Sequence, residues 1–175
     1  MYLSPQAPRE KLRSLFALWS SRLNGNGLAL RSSFNPEEFK PWMGNLAIVG
    51  VEGDPRRFRL RLIGTEVVYY DGADFTGRFL DEVLNPPIDR IVLAQYEDCA
   101  ATAKPMAFKY RSNAFRRIEA GIDKLFLPFS RDGSTVSHIF VCLYATFADP
   151  HAADRPTIQR YEADGGTLAF DPGEL

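Results

Sequence analysis

Cysteine and histidine are scarce in this chain, with two of each in 175 residues. Cys99 and Cys142 stand far apart, with no Cys-x-x-Cys, no zinc-ligand spacing and no Cys-x-x-Cys-His haem-attachment sequence, so neither a disulfide framework nor a metal site is encoded. The two thiols read as buried free cysteines in a reducing cytosol. Charge of one sign is also missing. The 21 lysines and arginines balance 22 acidic residues, which leaves no whole-chain basic field for a phosphate backbone and excludes nucleic acid as a partner. No apolar run follows a basic segment at the N-terminus, and none elsewhere reaches the length that crosses a bilayer. The reading is a soluble cytoplasmic protein with no membrane partner.

What the chain does have is core-forming material. Hydrophobic residues make up 45% of it, phenylalanine occurs 13 times and charged residues are an ordinary 25%, the composition of one folded domain. Its organising stretch runs from Arg57 to Leu84. Phe58, Leu60 and Leu62 alternate with Arg59 and Arg61, the period of a strand with one buried side. Gly64 then stops the strand. Thr65 is placed to cap a short helix through Val67, Val68 and Tyr69, Asp71-Gly72 closes that helix, and Asp74 and Thr76 offer further caps.

Ahead of this stretch, Leu12, Leu15, Phe16, Trp19 and Leu23 form an apolar stripe on a helix predicted over Arg9 to Leu23, which Asn24-Gly25-Asn26-Gly27 ends. The stripe either covers this domain's own sheet, the favoured reading, or pairs with the same helix of a second subunit. Asn35 as N-cap, Pro36 at the first helical position and Glu37-Glu38 in the first turn predict a second helix, ended or kinked at Lys40-Pro41. Leu46 to Val51 is a β-branched run, and the turn cluster Glu52-Gly53-Asp54-Pro55 makes it the hairpin partner of Phe58–Ile63.

Beyond the stretch, Ile88, Ile91, Val92, Tyr96 and Cys99 recur at helical spacing through Ala103, with Ile88, Ile91, Val92, Gln95 and Cys99 expected to face inward. Strands are predicted over Met106–Arg111, over Ile122–Phe129 with a bulge at Gly121 and Pro128 marking an edge or strand end, and over Val136–Phe147. On the last, Ile139, Val141, Leu143 and Ala145 point one way and His138, Phe140, Cys142 and Tyr144 the other, with both faces covered. From Asp149 onward prolines, glycines and acidic residues give a tail that is weakly ordered unless a partner holds it, in which Thr167 to Phe170 is the one piece suited to add a strand or bind elsewhere.

The segment Gly64-Thr65-Glu66-Val67 followed by Gly72-Ala73-Asp74-Phe75-Thr76-Gly77-Arg78-Phe79-Leu80 resembles the core of a PAS domain. The Arg31–Phe39 segment and the hairpin after it resemble a bacterial PAS-like family that carries the domain almost alone. The resemblance implies an α+β fold: a five-stranded antiparallel sheet, short helices on one side and an N-terminal amphipathic helix. It divides the chain into a helical lead-in (1–30), the PAS-like domain (31–147) and a tail (148–175), with no output domain expected. It also implies sensing by binding, not catalysis. A small apolar or aromatic ligand would lie between the sheet and the helices, lined by Val67, Tyr70, Phe79, Ile91, Cys99, Phe108, Leu127 and Tyr144, each of which is equally an ordinary core position. Signal would leave through a homodimer built on the Leu12–Leu23 stripe or through a separate signalling protein.

The cofactors such domains carry fare poorly against these residues. Haem-binding members ligate iron from a histidine on the long helix, where this chain has none; His138 falls on a strand and His151 in the tail. Light-sensing flavin members use a cysteine in Asn-Cys-Arg-Phe-Leu, and here Gly77 occupies that position. A cone-shaped hydrolase or isomerase pocket would have to use Glu66, Tyr69, Tyr70, Asp71, Asp74 and His138, although turn and cap contexts already explain both aspartates. A ligand-free interaction module with a filled core is the other alternative. Arg57, Arg59, Arg61, Lys109, Arg111, Arg116 and Arg117 put positive charge near the sheet, either solvated or a dock for an acidic helix.

Overall fold

The computed structural model describes residues 7–86, 88–114, 118–147, 168–170 and 172–174. Residues 1–6 and most of the tail lie outside the described residues, as do His151, Arg116 and Arg117 and the side chains of Ile88 and Arg111. Helix α1 (Ala7–Ser20) stops three residues short of the expected Leu23. The Asn24 side chain accepts from the backbone N–H groups of Asn26 and Leu28 and donates to the Gly133 carbonyl, so the chain turns there, and Leu23 bridges Ala29 instead. A two-residue strand β1 (Ala29–Leu30) follows.

The helix predicted at Asn35 forms as a 3-10 segment, Pro36–Asn45, with the Asn35 and Glu38 side chains capping it reciprocally. It runs through Pro41 rather than stopping there: in 3-10 winding each bond spans three residues, and the absent N–H of Pro41 removes a single one of them. Strands β2 (Leu46–Glu52) and β3 (Arg57–Ile63) form the predicted hairpin, with Gly53 at φ +76° in its turn. A register shift between Ile48 and Val49 leaves Arg61 unpaired, which interrupts the alternation, so that Phe58 and Leu60 are buried and Leu62 only partly.

Three helices then cover the sheet: α2 (Thr65–Asp71), α3 (Leu80–Val83) and α4 (Ile88–Thr102). Gly64, not Thr65, is the residue before α2, and its side-chain-free Cα is needed because a Cβ there would collide with the carbonyls of Met43 and Gly44. Strands β4 (Met106–Ala114), β5 (Ile118–Ser130) and β6 (Val136–Phe147) complete the core, and β7 (Leu168–Phe170) adds the tail segment antiparallel to β4.

The sheet therefore has seven strands in the order β3-β2-β6-β5-β4-β7, with β1 running parallel to β5. The five antiparallel strands expected are its centre, and two short ones extend it. Gly121 is no bulge; it pairs regularly with Arg111 and Thr146, and the irregularity falls between Phe129 and Ser130. Pro128 is not at an edge. It sits inside β5 opposite Ile139, beyond the last β4 pairing at Phe126, so no ladder donor is missed on that side. Its carbonyl accepts the Trp19 indole N–H at 3.0 Å.

Both faces of the sheet are covered. On the first, Leu12, Leu15 and Trp19 of α1 and Phe34, Phe39 and Trp42 pack on Leu125, Leu127, Phe129, Phe140, Cys142 and Tyr144. Trp42 donates to the Lys11 carbonyl, tying the 3-10 segment to α1. On the second face, Tyr96, Cys99 and Ala100 of α4 and Leu80 of α3 pack on Val49, Phe58, Leu60, Phe108, Phe126, Ile139 and Val141. Among the described residues no helix is long and apolar enough to cross a membrane.

Candidate functional site

The eight residues predicted to line one cavity divide among five places. Val67 and Tyr70 are buried on α2, Tyr70 packing on Ala120, Ile122 and Leu143 at one end of the second face. Cys99 and Phe108 are buried on that same face. Leu127 and Tyr144 are on the opposite face, under α1, because side chains alternate along β5 and β6 and these two fall in phase with Leu125 and Phe129 on β5 and with Phe140 and Cys142 on β6. Phe79 lies at the sheet edge, partly exposed, bridged to Arg59 and beneath the guanidinium groups of Arg57 and Arg59 at 3.7 and 4.0 Å from its ring centroid.

Ile91 is a correction: it is 45% exposed. The buried stripe of α4 runs through Val92, Tyr96 and Cys99, and Ile91 sits about 100° around the helix from Val92. Two adjacent apolar residues at this point gave the periodicity two equally good phases. Gln95 is buried as expected, 7% exposed, and its Oε1 has no partner among the described residues.

What the sequence reading passed over is a polar group inside the second face. Lys124 on β5 is 7% exposed, paired in register with Phe108 on one side and Leu143 on the other. Its Nζ lies 5.3 Å from the Tyr110 ring centroid. Asp71, the last residue of α2, faces it electrostatically; burial pushes that carboxyl up to about 6, against the pull of Lys124. The Tyr96 phenol, pushed upward by its own burial, feels the Asp71 and Tyr110 charges next. Burial also pushes the Cys99 thiol up to about 12, so it is an unreactive core thiol, its Sγ 3.5 Å from the Lys104 carbonyl. The signal that could have found this cluster was a lysine in the middle of the apolar run predicted as the strand Ile122–Phe129.

Rings fill the neighbouring part of the same layer. Phe58, Tyr96, Phe126 and Phe108 follow one another at centroid separations of 5.4, 4.9 and 5.3 Å. The hydroxyl of Tyr70 reaches the Ala145 backbone and the Asn45 side chain, and Asn45 in turn donates to the Leu143 carbonyl at 2.9 Å, which fixes α2 over β6.

Asp71, Asp74 and His138 do not meet. Asp74 accepts from the backbone N–H and hydroxyl of Thr76 in an exposed turn, as its sequence context implies. The half-buried His138 ring lies beside Ser137 and Arg131 and is held below its usual pKa by burial and then by Arg131. Among the described residues no three His, Cys, Asp or Glu side chains gather as metal ligands would. Gly77, at the position of the flavin-domain cysteine, is at φ +91° with open space where a Cβ would project, in a turn whose N–H bonds the Leu60 carbonyl at 2.7 Å.

The arginine face of β3 is neutralised by its surroundings. Arg57 bonds Asp81 and Glu82, Arg59 and Arg61 both bond Glu52, and Arg78 bonds Glu82. Four arginines thus meet three acids, and little field remains for an acidic partner helix.

Five antiparallel strands, with the covering helices inserted between the second and third of them and a further helix across the opposite face, are the architecture of a sensory or interaction domain. The chain belongs to the PAS domain family, whose sequence pattern matches residues 8–144, from α1 almost to the end of β6. Comparison with curated proteins finds no match.

Proposed function

We propose that this chain is a regulatory PAS domain that takes a small molecule between the second face of the sheet and α2–α4, and passes occupancy to a protein partner. The supporting observation is Lys124, 7% exposed and set in register between Phe108 and Leu143 in an otherwise apolar layer. A core that needed only to be packed gains nothing from a lysine there. Short helices supply the movable cover: α3 is a single turn, and Gly72 at φ +74° ends α2. The route outward is β5. Its second face carries Lys124 and Phe126, and its first face carries Leu125, Leu127 and Phe129 under α1. A change in packing under α2 is therefore one strand's thickness from α1, and a shift between two packings of these elements would carry the signal. A second copy of the chain meeting α1 would use what the stripe leaves over, Phe16 and Leu23, because Leu12, Leu15 and Trp19 are spent on this chain's own core.

The run of rings from Phe58 to Phe108 favours a second reading, a filled core serving protein interaction alone. Native mass spectrometry with an absorbance spectrum, on protein purified without denaturation, separates the two. A retained small molecule supports the ligand reading. A bare mass, unchanged after incubation with cell extract metabolites, overturns it in favour of the interaction module.

A further inference from the structure

At one end of the first face, away from α2–α4, the sheet gathers positive charge. Leu30 of β1 pairs in parallel with Ser130 of β5, and Arg31 and Arg131 are the next residues, so the two chains leave the sheet side by side. The Arg31 guanidinium lies over the Phe140 ring, 5.3 Å from its centroid, and Phe140 is two residues from His138 on the same face of β6. Arg131 Nη2 lies 3.5 Å from His138 Nε2. Opposite His138 on β2 is Gly50, and Arg61 of β3 crosses the space it leaves: a Cβ there would be 3.1 Å from Arg61 Nε. Three guanidinium groups thus surround one half-buried imidazole. Its pKa is held down by burial and then by Arg131, Arg31 and Arg61, against Glu52.

These charges are met unequally. Glu52 bonds both Arg61 and Arg59. Arg31 donates to the Phe34 carbonyl at 3.4 Å and Arg131 leans on His138, and neither meets a carboxylate among the described residues. Asp132, next to Arg131, is taken up by the Ser134 and Thr135 N–H groups and the Ser130 hydroxyl. Because an arginine only donates, His138 Nε2 accepts and the ring proton sits on Nδ1, 3.0 Å from Ser137 Oγ. A neutral imidazole is a weak substitute for an anion. The turn that carries Arg131 is firmly mounted: Ser130 is buried, and Asn24 and Asn26 both donate to the Gly133 carbonyl.

We propose that this rim is a phosphoryl-binding site, in which a phosphate monoester lies between Arg31 and Arg131 with His138 behind it. Such a group carries close to two negative charges near pH 7, which matches two unpaired guanidiniums, whereas a carboxylate balances one. The planar fork of each arginine suits paired phosphate oxygens. The phosphoryl group belongs to a free phosphate or to a phosphorylated side chain of a partner, and the site reads the same chemistry in both.

The test titrates the full chain, in phosphate-free buffer, with a short phosphoserine peptide, the same peptide with glutamate in place of the phosphoserine, and inorganic phosphate. The phosphopeptide binds about tenfold tighter or more than the glutamate peptide, the worth of a further charge-assisted hydrogen bond, and the His138 ring resonances move as it binds. Arg131→Gln, on the exposed turn, weakens the phosphopeptide by about tenfold or more, and Arg31→Lys, which keeps the charge but loses the fork, weakens it too. Inorganic phosphate binding as tightly as the phosphopeptide makes a free phosphate the ligand, and weaker binding makes it a phosphorylated segment; either supports the site. No binding of any probe, equal affinities for the two peptides, or affinities unchanged in both variants overturns it. These outcomes leave the small-molecule reading of the second face untouched, because that face lies across the sheet.

Discussion

Asp71 shows how one residue can oppose the fold that contains it. An ordinary aspartate loses its proton near 3.8, whereas burial raises this one to about 6, with Lys124 of β5 pulling the other way and Tyr96 of α4 alongside. A raised carboxyl means that the folded chain holds a proton which the unfolded chain releases. Stability from this group therefore falls as pH climbs from about 4 to about 6 and stays low above that. The full displacement corresponds to at most about 3 kcal/mol. Asp71→Asn removes the titration, so the stability of wild type relative to Asp71→Asn should decline between pH 4 and pH 7 in urea denaturation; a constant difference across that range would count against the burial of the carboxyl. Glu38 has the opposite sign. Arg22 and the Asn35 backbone hold it at about 2, so its contribution is present above the usual carboxylate range and is lost as pH falls toward that value.

Gly64 carries a different residue-scale lesson. In the sequence it reads only as the end of a strand, yet its φ of −67° is open to any residue, and what requires glycine is the approach of the Met43 and Gly44 carbonyls. Gly77 is the reverse case, with empty space around it and φ at +91°. Gly64→Ala must displace backbone and is expected to destabilise by about 3 kcal/mol, at the upper end for overpacking. Gly77→Ala should lose about 1–2 kcal/mol from its dihedral alone. Chemical denaturation of both variants checks the order, and a larger loss at Gly77 would contradict it.

At the scale of elements, the edge of the sheet is closed by the tail. Strand β7 pairs Leu168, Ala169 and Phe170 with Lys109, Phe108 and Ala107. Without it β4 would present its unpaired backbone groups to solvent. Truncation after residue 167 should accelerate amide hydrogen exchange within 107–109 while leaving β5 and β6, at the sheet's centre, as protected as before. Unchanged exchange in β4 would mean that the β7 pairing is too transient to matter. That Thr167–Phe170 would add a strand was legible because it is the one apolar run in a polar tail. The hairpin, the three long strands and α4 were legible for the same reason, since each buries a face and burial writes a period. What failed was local. Both phases of α4 were apolar at Ile91 and Val92, so only packing could choose, and Pro128 looked like an edge because its missing N–H is harmless only where a neighbouring strand has already ended. The candidate site suffered most. A single alternation phase sends Leu127 and Tyr144 to one face and Phe108 to the other, and no pattern along the chain says which face the covering helices take.

For the whole molecule, the open matter is whether α1 is an appendage or part of the core. The helix was set apart in the sequence as a lead-in, and a stripe of five apolar residues suits a dimer contact as well as a sheet. In the structure Leu12 and Leu15 are 0% exposed and Trp19 is 2% exposed, and the Trp19 indole satisfies the one carbonyl that Pro128 leaves outside the ladder. Burying three such side chains contributes about 5–9 kcal/mol, comparable with the 5–15 kcal/mol by which a whole domain is typically stable. Removing α1 also takes its cover from β5, the Pro128 carbonyl included. A chain beginning at Asn24 should therefore lose its cooperative thermal transition in circular dichroism. If instead it melts within a few degrees of the full chain and differs only in assembly state by size-exclusion chromatography, α1 acts between subunits, and the route from Lys124 through β5 to α1 has to be sought elsewhere.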